Sequence, residues 1–108
     1  MPDSFVVVLT TLPTRAKARE ISKLLIQKKL VACVNLLGPA QSFFHWQGKL
    51  NQTQEYLLVL KTTARCFSRV RTFLEQNHPY QVPEIISLPI KKGNAPYLNW
   101  IRTSVRPD

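Results

Sequence analysis

The residue types that could do chemistry concentrate in one short stretch, from His78 to Glu84. An imidazole, the phenol of Tyr80 and a carboxylate lie there among Pro79 and Pro83, directly before an apolar run. Each proline restricts its own backbone and that of the residue before it, which predicts a rigid passage from a helix into a strand. Such a loop could hold its side chains for a metal ion, a small ligand, a subunit contact or the fold alone. The stretch by itself leaves all four interpretations open.

The elements that position this stretch begin with an apolar, β-branched run over Phe5 to Leu9, which predicts a strand that is covered on both faces or lies at the centre of a sheet. Thr14 is expected to cap a helix that continues to about Lys28, since apolar residues recur there at intervals of three and four. A long, bent antiparallel hairpin is expected from about Val31 to Thr63, with its third strand at Tyr56 to Lys61. Residues 38 and 39, Gly and Pro, are expected to bend the hairpin without ending its strand.

The second half of the chain predicts another helix, a strand and a last short helix. Thr62 or Thr63 is expected to cap the second helix, which ends at His78-Pro79. The fourth strand is expected over residues 85–90, and Pro89 within it favours an edge position or a bulge. Asn94 is expected to cap the last helix.

This order of elements predicts an α+β fold, a ferredoxin-like βαββαβ sandwich with an extended β2-β3 hairpin and a C-terminal helix. Right-handed crossovers place both main helices on one face of a four-stranded antiparallel sheet. The other face stays apolar on several strands, and an apolar patch of that kind marks an interface. The residues expected to cover it are Phe43, Phe44, Trp46, Tyr97 and Trp100.

Composition bounds the class of protein. The chain of 108 residues is expected to form a single domain over residues 1–108, and its 44% hydrophobic content indicates a globular protein. No apolar run is long enough to span a membrane and the first residues do not resemble a secretory signal, so no membrane partner and a cytoplasmic location are expected. The cysteines, Cys33 and Cys66, are expected to be reduced thiols.

The net charge of +9 would attract nucleic acids, anionic membranes or acidic small molecules. The basic residues are spread along the chain, which favours a solvated surface. Ferredoxin-like proteins that bind RNA stack bases on aromatic residues of the central strands, and Tyr56 to Leu60 carries no such signature. Nucleic-acid binding is therefore not expected.

Five segments together resemble the CutA1 (divalent cation tolerance) family, in the family's order and at its spacing. They cover roughly residues 5 to 104. They are Ala32-Cys33-Val34-Asn35, Trp46 to Leu50, Glu55 to Thr62, His78-Pro79-Tyr80 with Pro83-Glu84-Ile85, and Tyr97-Leu98-Asn99-Trp100. The resemblance implies a homotrimer, similar to the PII signalling proteins, in which long hairpins extend the sheets of neighbouring subunits. It implies no catalytic activity and no obligatory cofactor, with copper or another divalent cation as the candidate ion.

The resemblance offers Cys33 and His78 as metal ligands. A thiolate and an imidazole suit copper or zinc, although two ligands do not close a site. A cysteine on a central strand is also expected as a small buried apolar residue. Family members that bind copper can carry a further cysteine near the end of the first strand, where this chain has Leu9 to Thr11. That departure weakens the inference of copper binding.

The polar residues expected at a ligand cleft on the subunit boundary are Glu55, Lys61, Tyr80 and Glu84. Interfacial ion pairs and hydrogen bonds that fix the register are the alternative interpretation. Three aromatic residues are expected in the interface core rather than as a stacking platform, and they are Trp46, Tyr97 and Trp100. His45 is interpreted as a polar surface residue at the hairpin bend.

Two functions therefore lead. One is a non-enzymatic trimeric protein that binds a divalent cation or a small anionic ligand in inter-subunit clefts, as a PII-like signalling module would. The other is a structural trimer that recruits another protein, with metal binding adventitious.

Overall fold

The computed structural model describes residues 4–106, and these contain a four-stranded sheet and three α-helices. The elements are β1 (Phe5–Leu12), α1 (Arg15–Gln27), β2 (Cys33–Trp46), β3 (Lys49–Thr63), a 3₁₀ turn (Ala64–Cys66), α2 (Phe67–Asn77), β4 (Ile86–Ile90) and α3 (Ala95–Ser104). The strands are ordered β2-β3-β1-β4 and every neighbouring pair is antiparallel. The predicted ferredoxin-like α+β fold, with its long hairpin and C-terminal helix, is confirmed.

Strand alternation divides the sheet into two faces. Val6 and Val8 of β1 and Leu58 and Leu60 of β3 point to one face, where they are buried with the apolar residues of α1 and α2. Both main helices therefore cover the same face, as right-handed crossovers require. The opposite face, called the open face below, is half-buried or exposed and is formed by Val7, Leu9, Leu37, Leu57, Val59, Ile86 and Leu88.

Exposed apolar side chains mark the surfaces that the fold of residues 4–106 leaves uncovered. Leu37, Ile86 and Leu88 are exposed on the open face, and Phe43, Phe44 and Trp46 are exposed on the hairpin. On α3 the exposed pair is Tyr97 and Trp100. The residues expected to cover the open face thus lie exposed at the surface of the single chain.

The hairpin of β2 and β3 extends well beyond the rest of the sheet. The last residue of β1, Leu12, pairs with Tyr56, while the hairpin continues through the pairs Ala40↔Glu55 to Trp46↔Lys49. As predicted, β2 bends at Gly38 without ending, and the register shifts between Leu37 and Ala40. The third strand is longer than predicted, because pairing with β2 also orders its mostly polar residues 49–55.

At the helix starts, one of the three predicted caps is confirmed by a side-chain hydrogen bond. Thr14 Oγ1 accepts a hydrogen bond from the Lys17 amide at 3.1 Å, as expected of an N-cap. The hydroxyls of Thr62 and Thr63 do not cap α2, which follows a 3₁₀ turn instead. Thr62 Oγ1 donates to the Leu30 carbonyl at 2.7 Å, inside the core. Asn94 occupies the predicted N-cap position of α3, where its carbonyl accepts from the Leu98 amide at 3.1 Å, but its side chain makes no capping hydrogen bond.

The two edge strands are β2 and β4. The predicted edge position of Pro89 is therefore confirmed. The interpretation of Cys33 as a residue of a central strand is wrong, since β2 pairs only with β3 at that point, and Cys33 is half-buried on the open face. Both cysteines are free thiols. Within residues 4–106, every helix is too short or too polar to cross a bilayer.

Candidate functional site

A hydrogen bond between Tyr80 and Glu55 organises one end of the open face. Glu55 lies on β3 just beyond the end of β1, and only 8% of its surface is exposed. The Tyr80 hydroxyl, which reaches it from the loop after α2, donates to Glu55 Oε2 at 2.7 Å. Burial and this bond to a carboxylate both raise the pKa of Tyr80 above its ordinary value, so the phenol stays protonated as a donor.

His78 ends α2 and is fixed through both of its ring nitrogens. The Tyr80 amide donates to Nδ1 at 3.2 Å, so Nε2 carries the proton and donates to the Thr11 carbonyl at 2.8 Å. The ring centroids of His78 and Tyr80 lie 5.0 Å apart. Burial lowers the pKa of His78 from its ordinary value, which favours the neutral imidazole that this arrangement needs. His78, which the sequence analysis offered as a metal ligand, thus uses both ring nitrogens in hydrogen bonds that fix its loop.

A cavity of about 830 Å³ opens beside Glu55 and Tyr80 and runs along the hairpin. Because paired residues share a face, Phe44 and Trp46 point to the same side of the hairpin as Glu55, and they form the apolar wall. Glu84 lines the cavity on the side of the loop. Among residues 4–106 the lining includes two carboxylates and no Lys or Arg, so in the single chain this cavity favours cationic over anionic groups.

A second polar group lies at the other end of the open face. Lys61 pairs with Cys33 across β3 and β2, and Lys61 Nζ donates to Asn35 Oδ1 at 2.8 Å. The Cys33 thiol lies 3.8 Å from the same oxygen. Asn35 therefore bridges an ammonium and a thiol on one face of the edge strand.

The structure of the single chain does not bring together the two side chains that the sequence analysis offered as metal ligands. Cys33 lies level with Lys61 and Val7, whereas His78 contacts Thr11, four residues further along β1. At about 3.3 Å per residue this is a separation of roughly 13 Å along the strands, too long for two ligands of one ion. Residues 4–106 contain no cluster of three or more His, Cys, Asp or Glu side chains that could hold a metal.

The expected cleft residues also fall into separate groups. Glu55, Tyr80, Glu84 and Trp46 line the cavity, but Lys61 lies six residues along β3 from Glu55, or roughly 20 Å. Tyr97 and Trp100 pack against each other on α3 with ring centroids 5.5 Å apart. His45 lies exposed near the tip of the hairpin, the surface position that sequence indicated.

Two residues that the sequence analysis did not select support these groups. Asn35 holds Lys61 and Cys33, and strand alternation could have found it, because Asn is rare in strands and this one shares a face with Cys33. The other is Thr11, whose backbone carbonyl receives His78. A backbone carbonyl leaves no signal in residue type, so only the fold could reveal this contact.

Comparison with known proteins places these features in a family. The CutA1 divalent ion tolerance protein family matches residues 6–104. The divalent-cation tolerance protein CutA of Thermus thermophilus is 45% identical over 96 residues, which are 89% of this chain and 93% of that protein. The crystal structure of CutA1 from Oryza sativa has a TM-score of 0.93 and 37% identity, covering 95% of this chain and 94% of that chain. The periplasmic divalent cation tolerance protein CutA of Archaeoglobus fulgidus has a TM-score of 0.91 and 36% identity, covering 94% and 99%. Matched over nearly its whole length in both sequence and fold, this chain belongs to the CutA1 divalent ion tolerance family.

Proposed function

We propose that this protein confers tolerance to divalent cations by binding copper or a similar ion as a homotrimer, without catalysing a reaction. Family membership over residues 6–104 is the observation that carries the proposal. The exposed apolar residues of the open face and the hairpin support the trimer, since a face of this kind needs a second chain to cover it.

The proposed ligands are Cys33 and His78, and the geometry sets two conditions on them. His78 must release either the Thr11 carbonyl or the Tyr80 amide before a ring nitrogen can bind a metal. Because the two side chains of one protomer lie too far apart, the ion must take Cys33 from one subunit and His78 from another, or bind them at separate sites. A metal that bridges subunits would couple cation binding to assembly.

The second part of the proposal is a PII-like signalling role in which a small ligand enters clefts between subunits. Glu55, Tyr80, Glu84 and Trp46 supply one side of such a cleft. An anionic ligand requires a cation that this cavity lacks in one protomer, and Lys61 of a neighbouring subunit is the candidate. Tyr97 and Trp100 are proposed to pack in the same boundary.

We place the protein in the cytoplasm as part of this proposal. The relative from Archaeoglobus fulgidus is described as periplasmic, so location is best tested directly. Fractionation of cells that produce the full native gene product would decide between the two compartments.

Titration calorimetry of the metal-stripped protein with copper, zinc and a panel of anionic metabolites tests the ligand. We expect copper binding that a Cys33→Ser, His78→Ala double variant loses, while a His45→Ala variant keeps it. Undiminished binding by the double variant would rule out the proposed ligands, and silence across the whole panel would reject the binding function. Sedimentation at several protein concentrations tests the trimer separately, and a monomer would reject it.

The exposed aromatic residues of the hairpin favour one alternative, a trimer that recruits another protein while metal binding is adventitious. This function requires a reproducible partner in native extract whose capture depends on Phe43, a hairpin residue that is 61% exposed. Capture that survives both chelation and the metal-ligand substitutions would favour recruitment over cation binding.

A further inference from the structure

Exposed Lys and Arg side chains from four separate segments of the chain lie at one end of the sheet. Phe5 pairs with both Thr63 and Ile90, so β1 begins where β3 and β4 end. The loop after α1 reaches the same end, because the Leu30 carbonyl accepts from Thr62. The exposed basic residues there, called the basic end below, are Lys28, Lys29, Arg65, Arg69, Lys91, Lys92 and Arg106.

Backbone and side-chain contacts fix part of the basic end in place. The Arg106 amide donates to the Lys29 carbonyl at 2.8 Å, and Arg69 Nη1 donates to the Arg106 carbonyl at 2.9 Å. Lys28 Nζ lies 6.0 Å from the centre of the Phe73 ring. The C-terminal segment is thereby held between the end of α1 and the start of α2, which brings their cations close together.

The acidic side chains of residues 4–106 leave this charge unbalanced. Glu20 and Glu75 form ion pairs with Lys17 and Arg71 on the helix surfaces. Glu55 and Glu84 line the cavity on the hairpin side, beyond the opposite end of β1. None of the four pairs with a residue of the basic end. The charge carried by residues 4–106 is therefore polarised along the sheet, which creates a local positive potential.

We propose that the basic end binds a linear chain of phosphate groups, such as inorganic polyphosphate. The cations extend across the sheet from β2 to β4, and four strands at about 4.8 Å spacing make this roughly 14 Å wide, longer than one phosphate group. Guanidinium groups such as those of Arg65 and Arg106 match phosphate oxygens in pairs, and the lysines add point charges. A flexible polyanion can contact all four segments at once.

The same observations disfavour two other polyanions. On the open face, the central strands β1 and β3 present the aliphatic residues Val7, Leu9, Leu57 and Val59, which offer bases no aromatic platform of the kind used by RNA-binding proteins of this fold. A stable membrane anchor needs apolar insertion besides positive charge, and the basic end consists of charged side chains. Phosphate recognition without base or lipid contacts therefore fits best.

The test compares two triple variants that remove the same charge from different places. Lys29→Gln, Arg65→Gln, Lys92→Gln takes one cation from each of three segments of the basic end and spares the structural Arg69. Arg19→Gln, Lys23→Gln, Lys49→Gln removes three exposed cations from the middle of α1 and the hairpin. Binding of the assembled protein to fluorescent polyphosphate is measured by anisotropy at two salt concentrations. Circular dichroism melts of both variants test whether each one folds.

We expect the basic-end variant to lose affinity by about tenfold or more and the control by much less, with a shallower salt dependence in the first. Equal losses in the two folded variants would show attraction by net charge alone and overturn the site. Tighter binding to single-stranded DNA, or to phosphatidylserine vesicles, than to polyphosphate at equal phosphate concentration would overturn the choice of ligand. Metal binding through Cys33 and His78 is independent of these outcomes.

Discussion

The Tyr80 hydroxyl lies 2.7 Å from the carboxylate of Glu55, 25 positions away in the chain, and this contact joins the rigid loop to the base of the hairpin. Glu55 is buried and belongs to neither of the two ion pairs that the structure shows among residues 4–106. The Tyr80 hydroxyl donates a hydrogen bond to this buried carboxylate, which makes the contact both a structural joint and one wall of the candidate cleft.

Replacing Tyr80 by Phe should weaken this joint. Tyr80→Phe leaves a buried carboxylate without its donor, and we expect the free energy of unfolding to fall by about 1 kcal/mol or more. Urea denaturation measures it, at one fixed protein concentration so that any self-association contributes equally to every variant. Tyr97→Phe, at an exposed tyrosine of α3, is the control and should cost much less. Equal losses of unfolding free energy in the two variants would show that the hydrogen bond from Tyr80 to Glu55 does not contribute to stability beyond an exposed hydroxyl.

Stability should depend on pH through His78. Its pKa is lowered in the folded protein from the ordinary 6.5, so the unfolded chain binds the proton more readily. The contribution of neutral His78 to the free energy of unfolding is fully present above pH 6.5. It is lost as the pH falls from there toward the pKa of His78 in the folded protein. Thermal melts of the metal-stripped protein should show this loss, and a His78→Gln variant should lack it. His45→Gln should retain it, and an unchanged profile in His78→Gln would contradict the assignment.

Three buried threonines allow a test of hydroxyl burial. Thr62 donates to the Leu30 carbonyl, whereas Thr10 Oγ1 is equally buried and has no hydrogen-bond partner within residues 4–106. Thr62→Val should destabilise the protein by about 1–3 kcal/mol, because it leaves a buried carbonyl unsatisfied. Thr10→Val removes an unpaired polar group and should be neutral or stabilising, as should Thr63→Val. Denaturant midpoints of the three variants give the ranking, and a costly Thr10→Val would contradict it.

The bend of the hairpin should tolerate no side chain at Gly38. Its φ is +150°, and an added Cβ would lie 2.8 Å from Tyr56 Cδ1 and 3.1 Å from the Glu55 carbonyl oxygen. Gly48 at the hairpin tip also has a positive φ, of +77°, but an added Cβ meets nothing within 4 Å. We expect Gly48→Ala to cost about 1–2 kcal/mol from backbone strain alone. Gly38→Ala should cost more, and denaturation midpoints that rank the two in the reverse order would contradict this reading.

Sequence patterns predicted those parts of the fold that depend on local rules. The Thr14 cap, the central strand β1, the edge position of Pro89 and the bend at Gly38 follow from residue type and spacing, and each is confirmed. The caps at Thr62 and Thr63 were wrong because burial in the core overrode a local preference. The prediction that Cys33 lies on a central strand failed for a different reason. The residues of one strand do not determine its position in the sheet, because strand order depends on how all the strands pair.

The sequence by itself therefore determined the element order, the ferredoxin-like class, the surplus hairpin and the rigid corner at His78 to Glu84, because periodicity and proline stereochemistry act over a few residues. Only the tertiary structure determined which of the candidate site residues contact one another. It joined Tyr80 to Glu55, occupied both nitrogens of His78, and separated Cys33 and Lys61 from the cavity. Contacts between residues distant in the chain are set by strand order and register, which depend on how the whole core packs.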